Sequence, residues 1–390
     1  MLSVSEALAR VLGLVAPLET EVVALEEAAG RVLAEDARAT RDQPPFAASA
    51  MDGYAIRDED ARQGARLRVV GEAAAGHGHA GGPGPGEAVR IFTGAPVPAG
   101  AARVVIQENV RREGDQITLV EPLDGPDYIR PAGADFRVGD RIQAPRRLAP
   151  ADLALLAAMN IGRLRVRRRP EVALLATGDE LVMPGETPGP DQIIASNGFG
   201  LKALAEAAGA RARMLPIARD TRASLRAAFE LAEGADLLVT IGGASVGAHD
   251  LVGPVAGELG LERAFYKVAM RPGKPLMAGR IGGAVMLGLP GNPVSAMVCG
   301  HVYMVPALRA MQGLEKAPAP RARAPLAHDI APNGRREHYM RARVDADGIR
   351  AFERQDSALL SVLAQANALL VRPAGDRARG AGEQVEYIPI

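Results

Sequence analysis

The segment from Pro170 to Gly313 limits the possible folds more than any other part of the chain. Apolar runs that predict strands alternate there with amphipathic patterns that predict helices. The strands are Glu171 to Ala176, Arg213 to Ile217 and Leu237 to Ile241, and the helices are Asn197 to Ala208 and a second from Asp220 or Thr221 to Glu233. This alternation is typical of βαβ units around a parallel, right-handed sheet. Ligands of such sheets bind beyond the carboxyl ends of the strands, where we expect the functional loops.

Different patterns flank this segment. A capping box at Ser3 and Glu6 precedes a helical run, and further helical runs begin near Leu25 and Ala149, the last of which we expect to pack on the first two. Short alternating runs separated by Gly and Pro predict β structure before and after these elements. The sequence therefore predicts an α/β multidomain fold. Its domains are a discontinuous helical N-terminal domain (1–42 and 134–169), an inserted β domain (43–133), a central α/β domain with a parallel sheet (170–316) and a small C-terminal β-barrel (317–390).

The charge balance argues against polyanionic partners. Lys plus Arg number 46, as do Asp plus Glu, so no global field draws the protein to nucleic acid or to an anionic membrane. The one cysteine, Cys299, lies among apolar residues and is expected to be a buried side chain outside any disulfide. Residues 1–18 lack the basic start of a signal peptide, and no apolar run is long enough to span a bilayer. We expect a cytoplasmic protein.

A glycine-rich loop follows the third predicted strand. Its glycines Gly242, Gly243 and Gly247 would let the backbone approach a phosphate, and Ser245 adds a hydroxyl donor. Asp250, three residues beyond Gly247, is placed to hold a hydrated Mg²⁺ that bridges a pyrophosphate. The same residues also fit an ordinary turn between a strand and a helix, so the motif alone leaves both interpretations open.

Cationic side chains concentrate between Phe265 and Pro275. Lys267, Arg271 and Lys274 lie within this run, and prolines stiffen it. A rigid loop of this charge suits a tetrahedral dianion, because fixed donors need not be reordered on binding. A solvated basic surface is the alternative, but surface helices do not bracket their charges with prolines.

A third loop leaves a strand and enters a helix. It runs from Leu287 to Ser295 and contains Pro290 and Pro293. Ser295 would lie near the helix N-terminus, where free N–H groups attract anions. A simple helix cap explains the serine equally well.

Carboxylates follow the first two predicted strands. Glu180 comes after the first and Asp220 after the second, where they are placed to bind magnesium or to accept hydrogen bonds from a ligand. Asp220 also fits a helix cap. In the predicted β insertion, Asp52 and Thr93 occupy turns and would not be selected on physical grounds alone.

In this order and at these separations, the loops resemble the molybdopterin molybdotransferase family, known as MoeA in bacteria and as the E domain of gephyrin in animals. The motifs are Ser49-Ala-Met-Asp-Gly-Tyr-Ala55, Thr240-Ile-Gly-Gly-Ala-Ser-Val-Gly247, Arg271-Pro-Gly-Lys-Pro275 and Leu289-Pro-Gly-Asn-Pro-Val-Ser295. The resemblance covers essentially the whole chain. It implies a homodimer of elongated four-domain subunits with a site where subunits meet. The implied substrates are molybdate and adenylylated molybdopterin, with Mg²⁺ as cofactor.

The resemblance also implies residue roles, carried over by motif. Asp250, Glu180 and Asp220 would serve the metal and the pyrophosphate, and Gly242, Gly243, Ser245 and Gly247 would cradle phosphate or pterin. Lys274, Pro275 and Ser295 would line a molybdate pocket, joined by Arg341 and Ser361 from the C-terminal domain, and Arg271 would help to hold the oxyanion. Lys267, Pro290 and Pro293 of the same loops would be further cofactor-binding residues. Asp52, Thr93 and Asp135 would reach in from the insertion and its junction, across the dimer. Arg271 is a departure, because the family usually has lysine there, and arginine presents a planar fork rather than a point charge.

The implied mechanism leaves the coordination chemistry to the dithiolene sulfurs, so the protein need only position and neutralise. A metal on Asp250 would polarise the pyrophosphate for attack by water or a molybdate oxygen. Two other functions stay open. One is the adenylyltransferase step itself, which uses a related α/β domain, and the other is a non-enzymatic scaffold like the gephyrin E domain.

Overall fold

The computed structural model describes residues 1–123, 125–243 and 251–390. At its centre lies a six-stranded sheet. In spatial order its strands are Arg211–Met214, Glu171–Ala176, Leu237–Ile241, Ala284–Leu289, Met277–Ile281 and Glu262–Tyr266. The first four pair in parallel, as the sequence predicted, whereas Met277–Ile281 pairs antiparallel with both of its neighbours. The prediction of a wholly parallel sheet is therefore wrong at this edge, because the turn at Gly282 is too short for the crossover that a parallel pair requires.

Helices cover both faces of this sheet. Asn197–Ala207 and the continuous helical stretch Pro293–Met311 pack on one face, while Arg222–Glu230 and Val252–Glu258 pack on the other. Along the strand Glu171–Ala176, successive side chains alternate between the two cores, as the period of two along a strand requires. The three inner parallel strands, Glu171–Ala176, Leu237–Ile241 and Ala284–Leu289, are buried on both faces, which explains their largely apolar sequence. The edge strand Arg211–Met214, in contrast, exposes two arginines and is only partly covered.

The stretch Pro293–Met311 is long and apolar enough to cross a membrane by composition, but 78% of it is buried inside the protein. It contains the segments Pro293–Cys299, a π-helical turn at Gly300–Met304, and Val305–Met311. Cys299 is fully buried within it, as predicted. The apolar composition is therefore explained by a core position.

The N-terminal helix Val4–Leu14 begins at Ser3 with the predicted capping box. It packs on the central domain, against the core that also holds Val302 and Leu308. The later helix Pro150–Ala158 instead buries Leu156 in a separate core, so the expected packing of these two helices on one another is wrong. The run near Leu25 forms only a 3₁₀ turn, Leu25–Glu27.

The description of residues 1–42 and 134–169 as helical is also wrong. A four-stranded sheet forms there from the strands Thr20–Ala24, Arg163–Arg167, Val32–Leu33 and Arg146–Arg147. Ala37–Arg38 and Arg141–Ile142 form a further pair. Thr20 lies opposite Arg167, so this sheet joins segments far apart in sequence. Local helical periodicity near Leu25 could not reveal such a pairing.

The insertion is built of β strands, as predicted. Its six-stranded sheet has the order Arg103–Ile106, Gly53–Ile56, Glu87–Ile91, Arg66–Ala73, Gln116–Leu119 and Val110–Glu113. The 3₁₀ turns Asp58–Asp60 and Gln107–Asn109 follow two of these strands, and Ala48–Ser49 pairs with Ile129–Arg130 beside them.

The C-terminal strands form a small barrel. They are Ala322–Pro325, Gln384–Pro389, Ala368–Arg372, Glu337–Asp345 and Gly348–Ala351, with a short helix Leu360–Leu363 between two of them. A bridge between Leu326 and Ile349 joins the two ends of this sheet. The strand Met270–Arg271, from the central part of the chain, pairs in parallel with Glu337–Asp345 and ties the barrel to the cationic loop.

Candidate functional site

A cleft of about 710 Å³ lies at the carboxyl ends of the parallel strands, where the sequence placed the functional loops. Seven of the predicted site residues line it together: Glu180, Asp220, Gly242, Gly243, Pro275, Pro290 and Pro293. Thr177, Asn197 and Asn292 also line it. The topology explains this convergence, because the loops that follow parallel strands share one edge of the sheet.

The glycine loop needs glycine for two reasons. Gly242 and Gly243 have φ angles of 92° and 60°, in the left-handed region that other residues rarely adopt. A Cβ at Gly242 would lie 2.8 Å from the carbonyl oxygen of Thr177, and one at Gly243 would collide with Val252. The backbone is therefore exposed to the cleft without a covering side chain. Ser245, Gly247 and Asp250, which were also predicted for this loop, lie outside the described residues.

Beneath this loop lie two buried hydroxyls. Thr177 is 4% exposed and Thr240 is fully buried, and the Oγ1 atoms of both lack a hydrogen-bond partner within the described ranges. Buried polar atoms are normally paired, so each unpaired one needs an explanation. Thr177 also lines the cleft, so this hydroxyl lies directly beside that space.

The carboxylates of the cleft have distinct roles. The side chain of Thr221, not that of Asp220, caps the helix Arg222–Glu230, so the interpretation of Asp220 as the cap is wrong. Asp179 accepts a hydrogen bond from the backbone N–H of Asp220 and thereby fixes the loop. Glu180 and Asp220 both line the cleft.

A second cavity of about 340 Å³ adjoins the first and is cationic. It is lined by Arg271, Pro272, Gly273, Lys274, Pro275, Asn292, Ser295, Arg336, Gln355, Asp356 and Ser357. Pro275 and Asn292 line both cavities, so the cationic loop and the glycine loop open into neighbouring spaces. Lys274 and Ser295 line the same cavity, as the resemblance implied.

Packing holds the cationic loop in place. Gly273 has a φ of 107°, and a Cβ there would lie 2.6 Å from Sγ of Cys299. The backbone N–H of Val268 donates to the carbonyl of Lys274 at 3.1 Å across the turn. Burial raises the pKa of the Cys299 thiol, which leaves it an inert packing group.

Arg341 is buried next to this cavity. Its Nη2 donates to the carbonyl of Asp356 at 3.0 Å, while its Nε and Nη1 have no hydrogen-bond partner within the described part of the chain. Burial, with a contribution from the neighbouring Arg271, lowers the pKa of Arg341 to about 10. A buried guanidinium with unused donors is favourable only if an anion completes its bonding. Arg341 is fully buried and does not line the cavity, so it lies behind the cavity wall.

His338 lies in the same positively charged region, near four arginine side chains. It is 6% exposed, and its Nε2 is buried without a partner in the described residues. Burial lowers the pKa of His338 to about 4, together with smaller contributions from Arg271, Arg341, Arg372 and Arg336. The region around this imidazole is therefore strongly positive.

Several predicted residues do not line either cavity. Ser361 is exposed on the helix Leu360–Leu363. The resemblance placed Ser361 in the molybdate pocket, but the serine that lines the cationic cavity is Ser357. The ammonium of Lys267 lies 5.1 Å from the ring centre of Tyr266. In the insertion, the N–H and hydroxyl of Thr93 both donate to Asp52 at 2.7 Å, and these bonds lower the pKa of Asp52.

Asp135 is exposed, and it lines neither cavity within this chain. The contribution of Asp52, Thr93 and Asp135 to a site across a dimer therefore stays a prediction.

Sequence reasoning missed Asn197, Ser357 and Arg336. Asn197 donates from Nδ2 to the carbonyl of Gly291 at 2.7 Å and so ties the cleft's two sides. Its place at the start of a helix after a polar loop was a usable signal. Ser357 and Arg336 lie in irregular polar segments, and only docking of the barrel brings them to the cavity.

Comparison with known proteins agrees with this geometry. Family models match in succession along the chain: the MoeA N-terminal region (domains I and II) over residues 2–160, a probable molybdopterin binding domain over 173–310, and the MoeA C-terminal region (domain IV) over 323–390. The chain is 36% identical over 388 residues to a molybdopterin molybdenumtransferase of Nostoc sp., covering 95% of this chain and 89% of the relative. It is 36% identical over 381 residues to molybdopterin molybdenumtransferase 2 of Mycobacterium tuberculosis, covering 93% of each.

Among solved structures, a molybdopterin biosynthesis MoeA protein from Pyrococcus horikoshii superposes with a TM-score of 0.83 at 30% identity, covering 100% of this chain and 99% of that one. The similarity thus extends over every part of the fold, including the insertion and the barrel. The chain belongs to the MoeA family, whose relatives named above are molybdopterin molybdenumtransferases.

Proposed function

We propose that this protein inserts molybdate into the dithiolene of adenylylated molybdopterin and releases AMP, completing the molybdenum cofactor. The observation that carries the proposal is the shared wall of the two cavities at Pro275 and Asn292. A small oxyanion in the cationic cavity and an elongated phosphate ligand in the cleft would meet at that wall. Few other arrangements need an anion pocket and a glycine-lined cleft in contact.

The cationic cavity suits molybdate. Arg271, Lys274 and Arg336 line it, and no ion pair in the described part of the chain occupies their charges. Ser295 contributes a hydroxyl, and the unpaired donors of Arg341 lie behind the wall. A tetrahedral dianion has only acceptor oxygens, so it would accept bonds from the donors that line the cavity, and its charge would offset the repulsion between these cations and the buried Arg341.

The cleft suits the pterin substrate and fixes its direction. The two sulfurs of the substrate's dithiolene must reach molybdate, so the dithiolene would lie at the shared wall formed by Pro275 and Asn292. The pyrophosphate would then extend toward Gly242 and Gly243, whose backbone lies open to the cleft. In this orientation the protein would hold two reactants next to each other, which supplies much of the rate enhancement in a reaction between bound partners.

The carboxylates fit magnesium. Mg²⁺ in phosphate-binding sites is held by one or two carboxylates together with phosphate oxygens and water. Glu180 and Asp220 line the same cleft as the glycine loop, although the described residues contain no cluster of three or more metal-binding side chains. A magnesium ion bound there would polarise the pyrophosphate bond. Glu180 and Asp220 would hold the phosphates through this magnesium ion. Lys274 and Arg341 would offset the negative charge of the oxyanion.

The proposal includes a homodimeric assembly and a cytoplasmic location. Asp52, Thr93 and Asp135 line neither cavity of their own chain, so a second subunit would bring them to the site and complete a homodimer. We place the enzyme in the cytoplasm, because the long apolar helical stretch Pro293–Met311 is mostly buried in the core.

The test is to incubate the purified protein with adenylylated molybdopterin, molybdate and Mg²⁺, and to measure AMP and protein-bound molybdenum. We expect AMP and loaded cofactor to form in equal amounts, and no AMP without molybdate. Consumption of ATP with molybdopterin would indicate the adenylyltransferase instead. A protein that does neither, yet binds a partner protein, would be a scaffold.

A further inference from the structure

Asn292 lies at the boundary between the two cavities and bonds to the neighbouring domain. It is the residue before the helix Pro293–Cys299, where an asparagine side chain ordinarily caps the helix. Here the side chain makes no such bond. Its Nδ2 donates instead to Oγ of Ser357 at 3.0 Å, in the segment that the barrel presents to the cationic cavity.

This bond determines what the serine hydroxyl can do. A hydroxyl has one hydrogen to donate and can accept two bonds. The amide N–H of Asn292 fills one acceptor position of the Ser357 oxygen, so the hydroxyl hydrogen is free to point elsewhere. The cavity that Ser357 lines is the one proposed for an oxyanion, which offers only acceptors.

From this arrangement we propose that Asn292 is a positioning residue, which sets the Ser357 hydroxyl as a hydrogen-bond donor to the oxyanion. The inference rests on the proposed function, because it assumes that the cationic cavity holds molybdate. It goes further by assigning to the barrel's Ser357 a direct contact and to Asn292 an indirect one.

A second bond makes the inference testable without unfolding the segment. The backbone N–H of Val294 donates to the carbonyl of Ser357 at 3.0 Å, and Arg341 donates to the carbonyl of Asp356. These bonds do not involve the side chain of Asn292. Its removal therefore leaves the segment docked but frees the hydroxyl to rotate.

The experiment measures molybdate binding to the full-length protein by calorimetry, with molybdate alone as the probe. We expect Asn292→Ala and Ser357→Ala each to weaken binding about tenfold, as the loss of a hydrogen bond to a charged group does. Asn292→Asp is the matched variant of equal size. Its carboxylate accepts the hydroxyl hydrogen and adds a negative charge, so it should weaken binding more than the alanine does.

The double variant Asn292→Ala with Ser357→Ala separates positioning from a general structural role. If Asn292 acts through Ser357, the double variant binds molybdate no more weakly than Ser357→Ala alone. Additive losses, or wild-type binding by Asn292→Ala, would overturn the inference while the proposed function stands. A wild-type protein that binds no molybdate would overturn both. Thermal unfolding midpoints within a few degrees of wild type verify that each variant is folded.

Discussion

Arg271 and His338 are Cα partners across two parallel strands, one from the central part of the chain and one from the barrel. This pairing fixes the cationic loop to the barrel at the edge of the cavity. It also buries the His338 imidazole among guanidinium groups, and burial first and the neighbouring positive charges second lower the pKa of His338. The two domains therefore build the positive region jointly, and neither contains it alone.

Arg271 tests the cationic cavity directly. We expect Arg271→Ala to weaken molybdate binding by about 10- to 100-fold, because a charge-assisted bond is lost. Arg271→Lys should lose less, since it keeps the charge but not the planar fork. Arg111→Ala removes the same charge from an exposed strand of the insertion, and its binding should match wild type. Equal losses in the Arg271 and Arg111 alanine variants would mean that only net charge matters.

Gly242 tests the exposed backbone of the cleft. Gly242→Ala should weaken AMP binding by about tenfold or more, because a left-handed φ and a contact with the Thr177 carbonyl must both be relieved. Gly81→Ala is the matched control, since its φ of 89° is nearly the same and no atom lies within 4 Å of a Cβ there. Both variants should lose about 1–2 kcal/mol of stability from backbone strain. Unchanged AMP affinity in Gly242→Ala would contradict the placement of phosphate at this loop.

Glu180 tests the magnesium proposal. Glu180→Gln should reduce Mg²⁺-dependent AMP release by about 10- to 100-fold, as the loss of a metal-supporting carboxylate does. Molybdate binding should be retained, because Glu180 lines the cleft and not the cationic cavity. The control is Glu186→Gln, in the same loop, whose carboxylate accepts a bond from the Met183 N–H. If added Mg²⁺ stimulates Glu180→Gln as strongly as wild type, Glu180 is not part of the metal site.

Two histidines with lowered pKa values, the buried His338 and the partly buried His301, predict a loss of stability in mild acid. Burial lowers the pKa values of His338 and His301 to about 4, below the ordinary value of 6.5. A lowered pKa disfavours the charged form in the folded state, so the stabilisation is complete above pH 6.5 and is lost as the pH falls toward 4. The contribution of His338 is up to about 3 kcal/mol.

We therefore expect the unfolding temperature to fall with pH in this range, and to fall less steeply in His338→Gln. Thermal unfolding followed by circular dichroism at a series of pH values measures the slope. An identical slope in the variant would show that His338 is charged in the folded protein or does not contribute.

Much of the central domain could be predicted because its signals are local. The strands Glu171–Ala176 and Leu237–Ile241 lie where the apolar runs predicted them, since strands buried on both faces leave continuous apolar sequence. The capping box at Ser3 was also readable, because it depends on residues three apart. Parallel topology then brought the loops after these strands to one edge.

The errors arose where distant segments pair. Thr20–Ala24 became a strand because residues 163–167 lie beside it, and no local pattern records that neighbour. Ser361 and Ser357 are two serines of one segment, and sequence could not decide between them. Ser357 is the one that reaches the cationic cavity, because it bonds to Val294 and Asn292. These bonds depend on how the barrel packs against the central domain.

By itself the sequence determined the central strands Glu171–Ala176 and Leu237–Ile241, the glycine loop, the positive charge of the loop at Arg271 and Lys274, and the family to which these motifs belong. These properties follow from residue type and short-range spacing. Only the tertiary structure decided that the cleft and the cationic cavity share a wall at Pro275 and Asn292. It also decided that Arg341 is buried with unused donors. The reason is physical, because burial and contact between domains depend on packing across hundreds of residues, which short-range patterns do not encode.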